Sequence, residues 1–380
     1  MQNNLLIVKR RAFPNALLYW GLFIMLFIGW ILQVIIPGVA TKIFELIFPI
    51  LSLSIFLRKS THTKEVFISG IIILGYVIIS FLYAVLYHGA HILDFIMAYK
   101  FTWYILLLLP YSNIRIIDAN SLSKLYRSFL IFFLIVYVIK FLGGEDRPTF
   151  FIENNFEILF LCFLFYAHHI IYQSTKMIDM FLLLAITIIS GSRSGVMLAL
   201  ITVLFSTDLK QIIRSKNIFL PIAGFIGAIG AFYVFNKRTT NGIESIDRYR
   251  FYQIFLDSIA DWSWWQYLTG AQRITKLPDI ACAQLSFYKK LLSFDDDGSC
   301  YSVIFHSFNM RIIFDHGLIV VGFLIFFIFR ILKNRTFKEK TLVLILLFLN
   351  GMSVSSINSV YAALGLAILA SIPQKKLTRL

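Results

Sequence analysis

Residues 15 to 36 read NALLYWGLFIMLFIGWILQVII and contain no charged side chain. As an α-helix this stretch would be about 33 Å long, which matches the hydrocarbon core of a bilayer. The run is longer than the apolar part of a signal peptide, and no small-residue cleavage site follows it. We therefore expect a retained transmembrane helix at this position.

The composition extends this interpretation to most of the 380 residues. The chain is 59% hydrophobic and 14% charged, and its mean hydropathy of +0.79 excludes a soluble protein or a large soluble enzyme on a membrane anchor. The sequence predicts an all-α polytopic membrane protein with about twelve transmembrane helices. The apolar runs lie at 15–36, 43–57, 66–87, 95–110, 126–142, 154–173, 177–190, 194–206, 217–235, 312–332, 340–352 and 356–372.

The net charge of +15 would also suit a nucleic-acid-binding protein, so the placement of the basic residues matters. With the amino terminus inside, 21 of the 35 Lys and Arg residues fall in seven inner segments. This asymmetry predicts that both termini are cytoplasmic, and it argues against nucleic acid because the charge forms no single patch. The inner residues are Lys9, Arg10, Arg11, Arg58, Lys59, Lys64, Arg115, Lys124, Arg127, Lys176, Lys210, Arg214, Lys216, Arg330, Lys333, Arg335, Lys338, Lys340, Lys375, Lys376 and Arg379.

Three regions follow from this topology: a membrane domain at 1–235, a long outer loop at 236–311, and a second membrane domain with a cytoplasmic tail at 312–380. A long loop among short turns is where we expect function. Its stretch 246–260 predicts a helix that lies on the membrane surface.

Four loop side chains have two interpretations each. Trp264 and Trp265 suit either interfacial anchors or surfaces that stack on sugar rings, and the two interpretations have equal weight. Cys282 and Cys300 could form a disulfide in an oxidising compartment or stay as two thiols, again with equal weight.

Three cations are predicted at one depth near the outer face, where charge is costly and therefore points to function. They are Lys100, Lys140 and Arg193. Arg193 lies in the turn SGSRSG at 190–195, whose small residues and helix start suit an anionic group. For the two lysines, a snorkelling side chain is the simpler interpretation, whereas for Arg193 we favour a functional one.

A histidine near the end of the outer loop is a candidate general base. If a continuous helix runs through this segment, His306 shares a face with Asn309 and Gly317, and Asp315 lies on the opposite face. Asp315 would then be unable to orient His306. On spacing alone, a lone histidine at a membrane interface has a structural role more often than a catalytic one.

Taken together, these features resemble the O-antigen ligase and polymerase superfamily of membrane glycosyltransferases. The resemblance covers the whole chain in topology, but its motifs are short, and Val320 departs from the small residue that the family places three after the glycine. The motif residues are Ser190 to Gly195, Arg248 with Tyr252, and His306, Ser307, Asp315 and Gly317.

The resemblance implies transfer of a glycan from undecaprenyl diphosphate to an acceptor hydroxyl, at the periplasmic face of a bacterial inner membrane and without metal or other cofactor. It implies that Arg193 and Arg248 hold the diphosphate and that His306 acts on the acceptor hydroxyl. Arg250 lies about 200° from Arg248 on a helix, so only one of them can face the site, and Tyr252 favours Arg248.

The same resemblance implies further residues for the diphosphate site and for the acceptor site. Lys100 and Lys140 would add to the diphosphate site. The acceptor or glycan would contact Ser307, Asn309, Asp315, Trp264 and Trp265. The implied partners are an undecaprenyl-diphosphate-linked oligosaccharide, the lipid bilayer and a chain-length regulator in the same membrane.

We favour a polymerase, in which both donor and acceptor are lipid-linked repeat units. A ligase that transfers finished polymer to lipid A core differs only in its acceptor, which the sequence does not identify. A flippase or exporter of lipid-linked sugar is the alternative from another class. It is disfavoured because the charges gather on one side and one outer loop is long.

Overall fold

The computed structural model describes residues 2–36, 38–57, 63–172, 176–207, 229, 247–271, 275–286, 293–294 and 300–372, with side chains from residue 15 onward. These residues contain helices and no strand. The helices are α1 Gln2–Ile35, α2 Val39–Phe56, α3 Lys64–Phe81, α4 Ile92–Ala98, α5 Lys100–Leu108, α6 Ala119–Leu142, α7 Asn154–Tyr172, α8 Met177–Ile189, α9 Arg193–Ser206, α10 Asp247–Ser258, α11 Trp264–Thr269, α12 Asp279–Gln284, α13 Phe308–Ile331, α14 Phe337–Gly351 and α15 Val360–Ser371.

Six of these helices are long and apolar enough to cross a membrane: α1, α2, α3 with its π-helical extension to Tyr87, α6, α7 and α13. A seventh span results if α4 and α5 count as one, although they are bent by 51°. The helices α8, α9 and α15 are apolar but shorter. Each predicted apolar run coincides with a helix except 217–235, which lies almost entirely outside the described residues.

The predicted single helix at 95–110 is wrong in one respect. The chain leaves helical geometry at Tyr99, with φ −94° and ψ 7°, and α5 begins at Lys100 in a new direction. The Thr102 hydroxyl bonds to the Tyr99 carbonyl at 2.6 Å and so closes this turn. The break turns Lys100 and the Met97 carbonyl toward the interior of the protein, as described below.

The centre of the membrane domain is formed by α7 and α15. Every residue of α15 is buried, and 72% of the spanning window of α7 is buried, against 22% for α3. Because α15 is apolar all round, it needs protein on every side. Gly365 allows the close contact, since a Cβ atom there would lie 2.3 Å from the Phe163 ring of α7.

The carboxylate of Asp118 fixes the beginning of α6. Asp118 caps α6 by accepting bonds from the Ser121 amide at 2.9 Å and hydroxyl at 2.7 Å, and it accepts the Asn15 amide of α1 at 2.8 Å. Partial burial alone would raise the pKa of Asp118, but these hydrogen bonds outweigh it and lower the pKa to about 2. The cap thus joins α1 to α6 and favours the ionised form.

The loop before α7 is held by the buried carboxylate of Glu157. It accepts the backbone N–H groups of Phe150, Phe151 and Ile152 at 2.7 to 2.9 Å, and the Tyr137 hydroxyl at 2.7 Å. Four donors on one side chain leave little freedom to this loop. Its position matters because Ile152 lines the cavity described below.

We call residues 236–311, the predicted outer loop, the outer segment. Its described part has a small core of its own. A disulfide joins Cys282 to Cys300, with a Cα–Cα distance of 5.6 Å. Phe251 and Phe255 of α10 are buried in this core, whereas Tyr249 and Tyr252 are exposed, and the position of α10 on a membrane surface stays a prediction.

The condition of a continuous helix from His306 through Gly317 is not met at either end. The Ser307 hydroxyl accepts the Met310 amide and caps α13, so the helix begins at Phe308. At Gly317 the backbone adopts φ 70° and ψ −179°, which interrupts α13. There the segment that follows α11 crosses α13, and the Ala271 amide donates to the Phe314 carbonyl at 2.7 Å.

Candidate functional site

A cavity of about 540 Å³ lies between the membrane helices and the outer segment. Polar side chains from α2, α5, α13 and the start of α15 form its membrane side, and residues of the outer segment form the other side. Among those that line it are Glu45, Lys100, Arg311, Asn358, Tyr361 and His306. The cavity therefore combines cations, a carboxylate, an imidazole and an aromatic ring.

His306 lines this cavity from a strained backbone position. Its φ of 57° and ψ of −29° are rare for a residue with a Cβ atom, and such conformations cluster at functional sites. The preceding turn Ser302–Phe305 ends at His306, whose N–H donates to the Val303 carbonyl at 3.3 Å. Asp315 accepts the Ser302 hydroxyl, so the carboxylate is directed to the turn and not to the imidazole.

Of the three predicted cations Lys100, Lys140 and Arg193, Lys100 lines the cavity. Its ammonium forms an ion pair with the Glu45 carboxylate, and both side chains are partly exposed. An anionic ligand would have to compete with Glu45 for this charge. Glu45 was missed in the sequence, although the rule that selected Lys100, a charge within an apolar helix, also applies to it.

Arg311 is a second cavity residue that sequence reasoning missed. It is only 5% exposed and lies in the first turn of α13. Its Nη1 atom donates to the Ser355 hydroxyl at 3.2 Å and its Nη2 atom to the Met97 carbonyl at 3.4 Å. The signal in the sequence was again a charge next to an apolar run.

Arg193 does not line the cavity, but its turn is bonded to a helix that does. It is the first residue of α9 and is half-buried. The hydroxyls of Ser192 and Ser194 both donate to the Asn155 side chain, the second at 2.9 Å, which ties this turn to α7. Phe156, the neighbour of Asn155, lines the cavity.

The two arginines of α10 have different surroundings. Arg250 is exposed and donates to the Gln284 carbonyl at 3.0 Å within the outer segment. Phe251 packs against His306 with a centroid distance of 5.6 Å, and Arg248 is half-buried one turn before it. Residues three apart lie on neighbouring positions of a helix, so Arg248 is on the side of α10 that meets His306.

The other predicted site residues lie elsewhere. Lys140 pairs with Glu145 at 3.4 Å at the end of α6. Ser307 donates to the Gly351 carbonyl at 2.8 Å, and the Asn309 amide donates to the Phe348 carbonyl at 3.0 Å, so both join α13 to α14. Trp264 and Trp265 are 72% and 53% exposed on α11 and do not line the cavity.

Chemically, the cavity offers fixed cations for an anionic group, a histidine that can accept a proton, and hydroxyl and amide groups for polar recognition. Within the described ranges, no group of three or more His, Cys, Asp or Glu side chains is placed to hold a metal ion. No family model, curated protein or solved structure matches this chain.

Proposed function

We propose that the protein is a membrane glycosyltransferase that takes a glycan from undecaprenyl diphosphate, and that it acts as an O-antigen or related surface polysaccharide polymerase. The observation that supports this best is the position of His306, held in a strained conformation in one cavity with Lys100 and Arg311. The proposal places this cavity at the membrane surface. A lipid diphosphate carries its negative charge at that depth, and the acceptor sugar approaches from the side of the outer segment.

In the proposed reaction, the imidazole of His306 takes the proton of an acceptor hydroxyl at the non-reducing end of a lipid-linked repeat unit. The hydroxyl oxygen forms a bond to the anomeric carbon of the donor glycan. The bond from that carbon to the diphosphate oxygen breaks, and undecaprenyl diphosphate leaves with the electron pair. Arg193 and Arg248 stabilise the charge of the leaving group without a divalent metal.

The same proposal includes a topology of about twelve spans with both termini in the cytoplasm and the cavity at the periplasmic face of the inner membrane. The short helices α8 and α9 are 13 and 14 residues long, too short to cross alone unless protein shelters their ends. The disulfide between Cys282 and Cys300 supports an oxidising compartment for the outer segment.

The test is complementation of a strain of the source bacterium that lacks the gene. We expect His306→Ala, Arg193→Ala and Arg193→Lys to abolish chain extension, because a point charge does not replace a bidentate guanidinium. His88→Ala is the matched control, since His88 is exposed and outside the cavity. Immunoblots of membranes establish that each variant accumulates. Normal polymer from His306→Ala would contradict the proposed base.

The deletion strain also separates a polymerase from a ligase. Single repeat units on lipid A core indicate a lost polymerase, whereas long polymer on undecaprenyl diphosphate indicates a lost ligase. In membranes that contain the protein, we expect transfer to persist when divalent cations are fully chelated. A strict need for a divalent cation would contradict the proposed class of enzyme.

A further inference from the structure

The guanidinium of Arg311 has more hydrogen-bond donors than the protein uses. Arginine has five N–H groups, and here one bond goes to Ser355 and one to the Met97 carbonyl. Its Nε atom is buried and has no acceptor among the described residues. No carboxylate oxygen of the described residues lies within 4 Å of it; Asp315, one turn further along α13, attracts the guanidinium from a greater distance and accepts the Ser302 hydroxyl.

The amino terminus of α15 meets the cavity at the same place. Val360 and Tyr361 both line the cavity, and their N–H groups belong to the first turn, which has no acceptor within the helix. The helix is 12 residues long and wholly buried, so its positive end is poorly screened by water. Ser359 caps the third position by accepting the Ala362 amide at 3.4 Å.

Asn358, in the turn before this helix, adds an acceptor. Its amide nitrogen donates to the Met97 carbonyl at 3.2 Å, the same carbonyl that Arg311 contacts. That bond orients the side chain, and its Oδ1 atom has no donor among the described residues although the residue is only 6% exposed. A buried donor and a buried acceptor that have no partner among the described residues thus lie beside one helix start.

A purely structural role does not account for this arrangement. Bridging the Met97 carbonyl and the Ser355 hydroxyl needs two N–H groups, and an uncharged amide would supply them without burying a charge. Burying a guanidinium with unused donors is costly unless a ligand takes them. The unused groups specify that ligand, because an anion satisfies the arginine and the helix start, and a hydroxyl satisfies Asn358.

We propose that Arg311, Asn358 and the first turn of α15 form a subsite for a phosphate group that lies next to a sugar hydroxyl. This inference rests on the proposed function and deepens it, since a glycan on a diphosphate carries both groups side by side. Arg311 and the amides of Val360 and Tyr361 donate to phosphate oxygens, and Asn358 Oδ1 accepts the hydroxyl. Unlike Lys100, Arg311 forms no direct ion pair with a carboxylate of the described residues.

The test measures equilibrium binding to the full-length protein in lipid nanodiscs. The probes are undecaprenyl diphosphate, inorganic pyrophosphate and undecaprenol, which has no phosphate. We expect Arg311→Gln to weaken binding of a diphosphate probe about 10- to 100-fold, as for loss of a hydrogen bond to a charged group. Arg330→Gln, on the far end of the same helix and paired with Glu65, should bind like wild type.

A second pair of variants covers the outcome that Arg311→Gln does not fold. Asn358→Asp keeps the shape of the side chain and places a negative charge against the phosphate, so it should weaken diphosphate binding at least about tenfold. Its control is Asn334→Asp, because the Asn334 amide likewise donates to a backbone carbonyl, that of Ser112. Both controls should bind as the unmodified protein does.

The results decide the proposal in either direction. Binding of the lipid diphosphate, of free pyrophosphate, or of both, with loss in the two cavity variants, supports the subsite and identifies the source of the phosphate. Binding of neither probe, or affinity within twofold of wild type in both variants, overturns it. An equal loss of undecaprenol binding also overturns it, because Arg311 would then only support packing. A wild-type protein that binds diphosphate but transfers no glycan would contradict the proposed function alone.

Discussion

Replacing Gly317 with alanine should loosen the outer segment from α13. The backbone of Gly317 has φ 70° and ψ −179°, a region open essentially to glycine alone. A Cβ atom there would lie 2.3 Å from the Leu268 carbonyl oxygen and 2.4 Å from the Gly270 nitrogen. Both contacts are with backbone atoms, so no side-chain rotation relieves them, and the crossing segment must move.

The size of the effect follows from two contributions. The backbone strain of alanine in this conformation costs about 1 to 3 kcal/mol. Displacing the crossing segment also breaks the hydrogen bond from the Ala271 amide to the Phe314 carbonyl, which contributes about 1 kcal/mol. We therefore expect Gly317→Ala to destabilise the protein by about 2 to 4 kcal/mol.

Gly322 provides a matched control five residues further along the same helix. A Cβ atom at Gly322 meets nothing within 4 Å, and its φ is not positive. Alanine there should be neutral or stabilising by up to about 1 kcal/mol, because alanine favours the helix. The measurement is the apparent melting temperature of each purified variant in detergent, together with limited proteolysis of the outer segment. If Gly317→Ala melts no lower than Gly322→Ala, the close crossing described above is wrong.

Three further predictions concern single contacts. Glu157→Gln should destabilise the protein by roughly 3 kcal/mol or more, which the apparent melting temperature measures. The amide nitrogen of glutamine replaces one carboxylate oxygen and cannot accept a hydrogen bond, so buried N–H donation to that oxygen is lost. The folded-state pKa of Asp118 lies below its ordinary value of 3.8, so its stabilising effect is present above about pH 4 and is lost as pH falls toward 2. In an acid titration, Asp118→Asn should therefore lose less stability than the wild-type protein does. Replacing Cys282 and Cys300 with serine should cost about 3 kcal/mol, and peptide mass spectrometry of the unreduced protein should detect the linked pair.

Much of the membrane architecture could be predicted because a single property decides it. The apolar runs coincide with helices wherever the structure describes them, since a chain in lipid must satisfy its backbone groups within each helix. The length of the short helices could also be predicted, since the run 194–206 has 13 residues and α9 has 14. What the run does not show is which neighbouring helices provide the environment of so short a helix. That environment is a tertiary property, which a window of sequence does not contain.

The candidate site was less accessible to sequence reasoning for a physical reason. The helical-face argument for His306 assumed regular geometry, but the Ser307 cap and the positive φ of His306 remove that residue from the helix. Such conformations depend on the surroundings that hold them and have no strong local signal. Arg311 and Glu45 could have been selected by charge alone, but their positions in the cavity depend on helices distant in the sequence.

Several interruptions of helical structure meet around the cavity, and this favours a functional origin for them. The α4–α5 break frees the Met97 carbonyl, α13 begins just after His306, and the turn before α15 contains Ser356 at φ 40°. Each interruption exposes backbone polar groups where lipid cannot satisfy them. Continuous helices would cost less if the region served only for packing. The protein instead directs Arg311 and Asn358, which both line the cavity, to one freed carbonyl and leaves other polar atoms of both side chains buried without a partner among the described residues, an arrangement that the proposed polar ligand would complete.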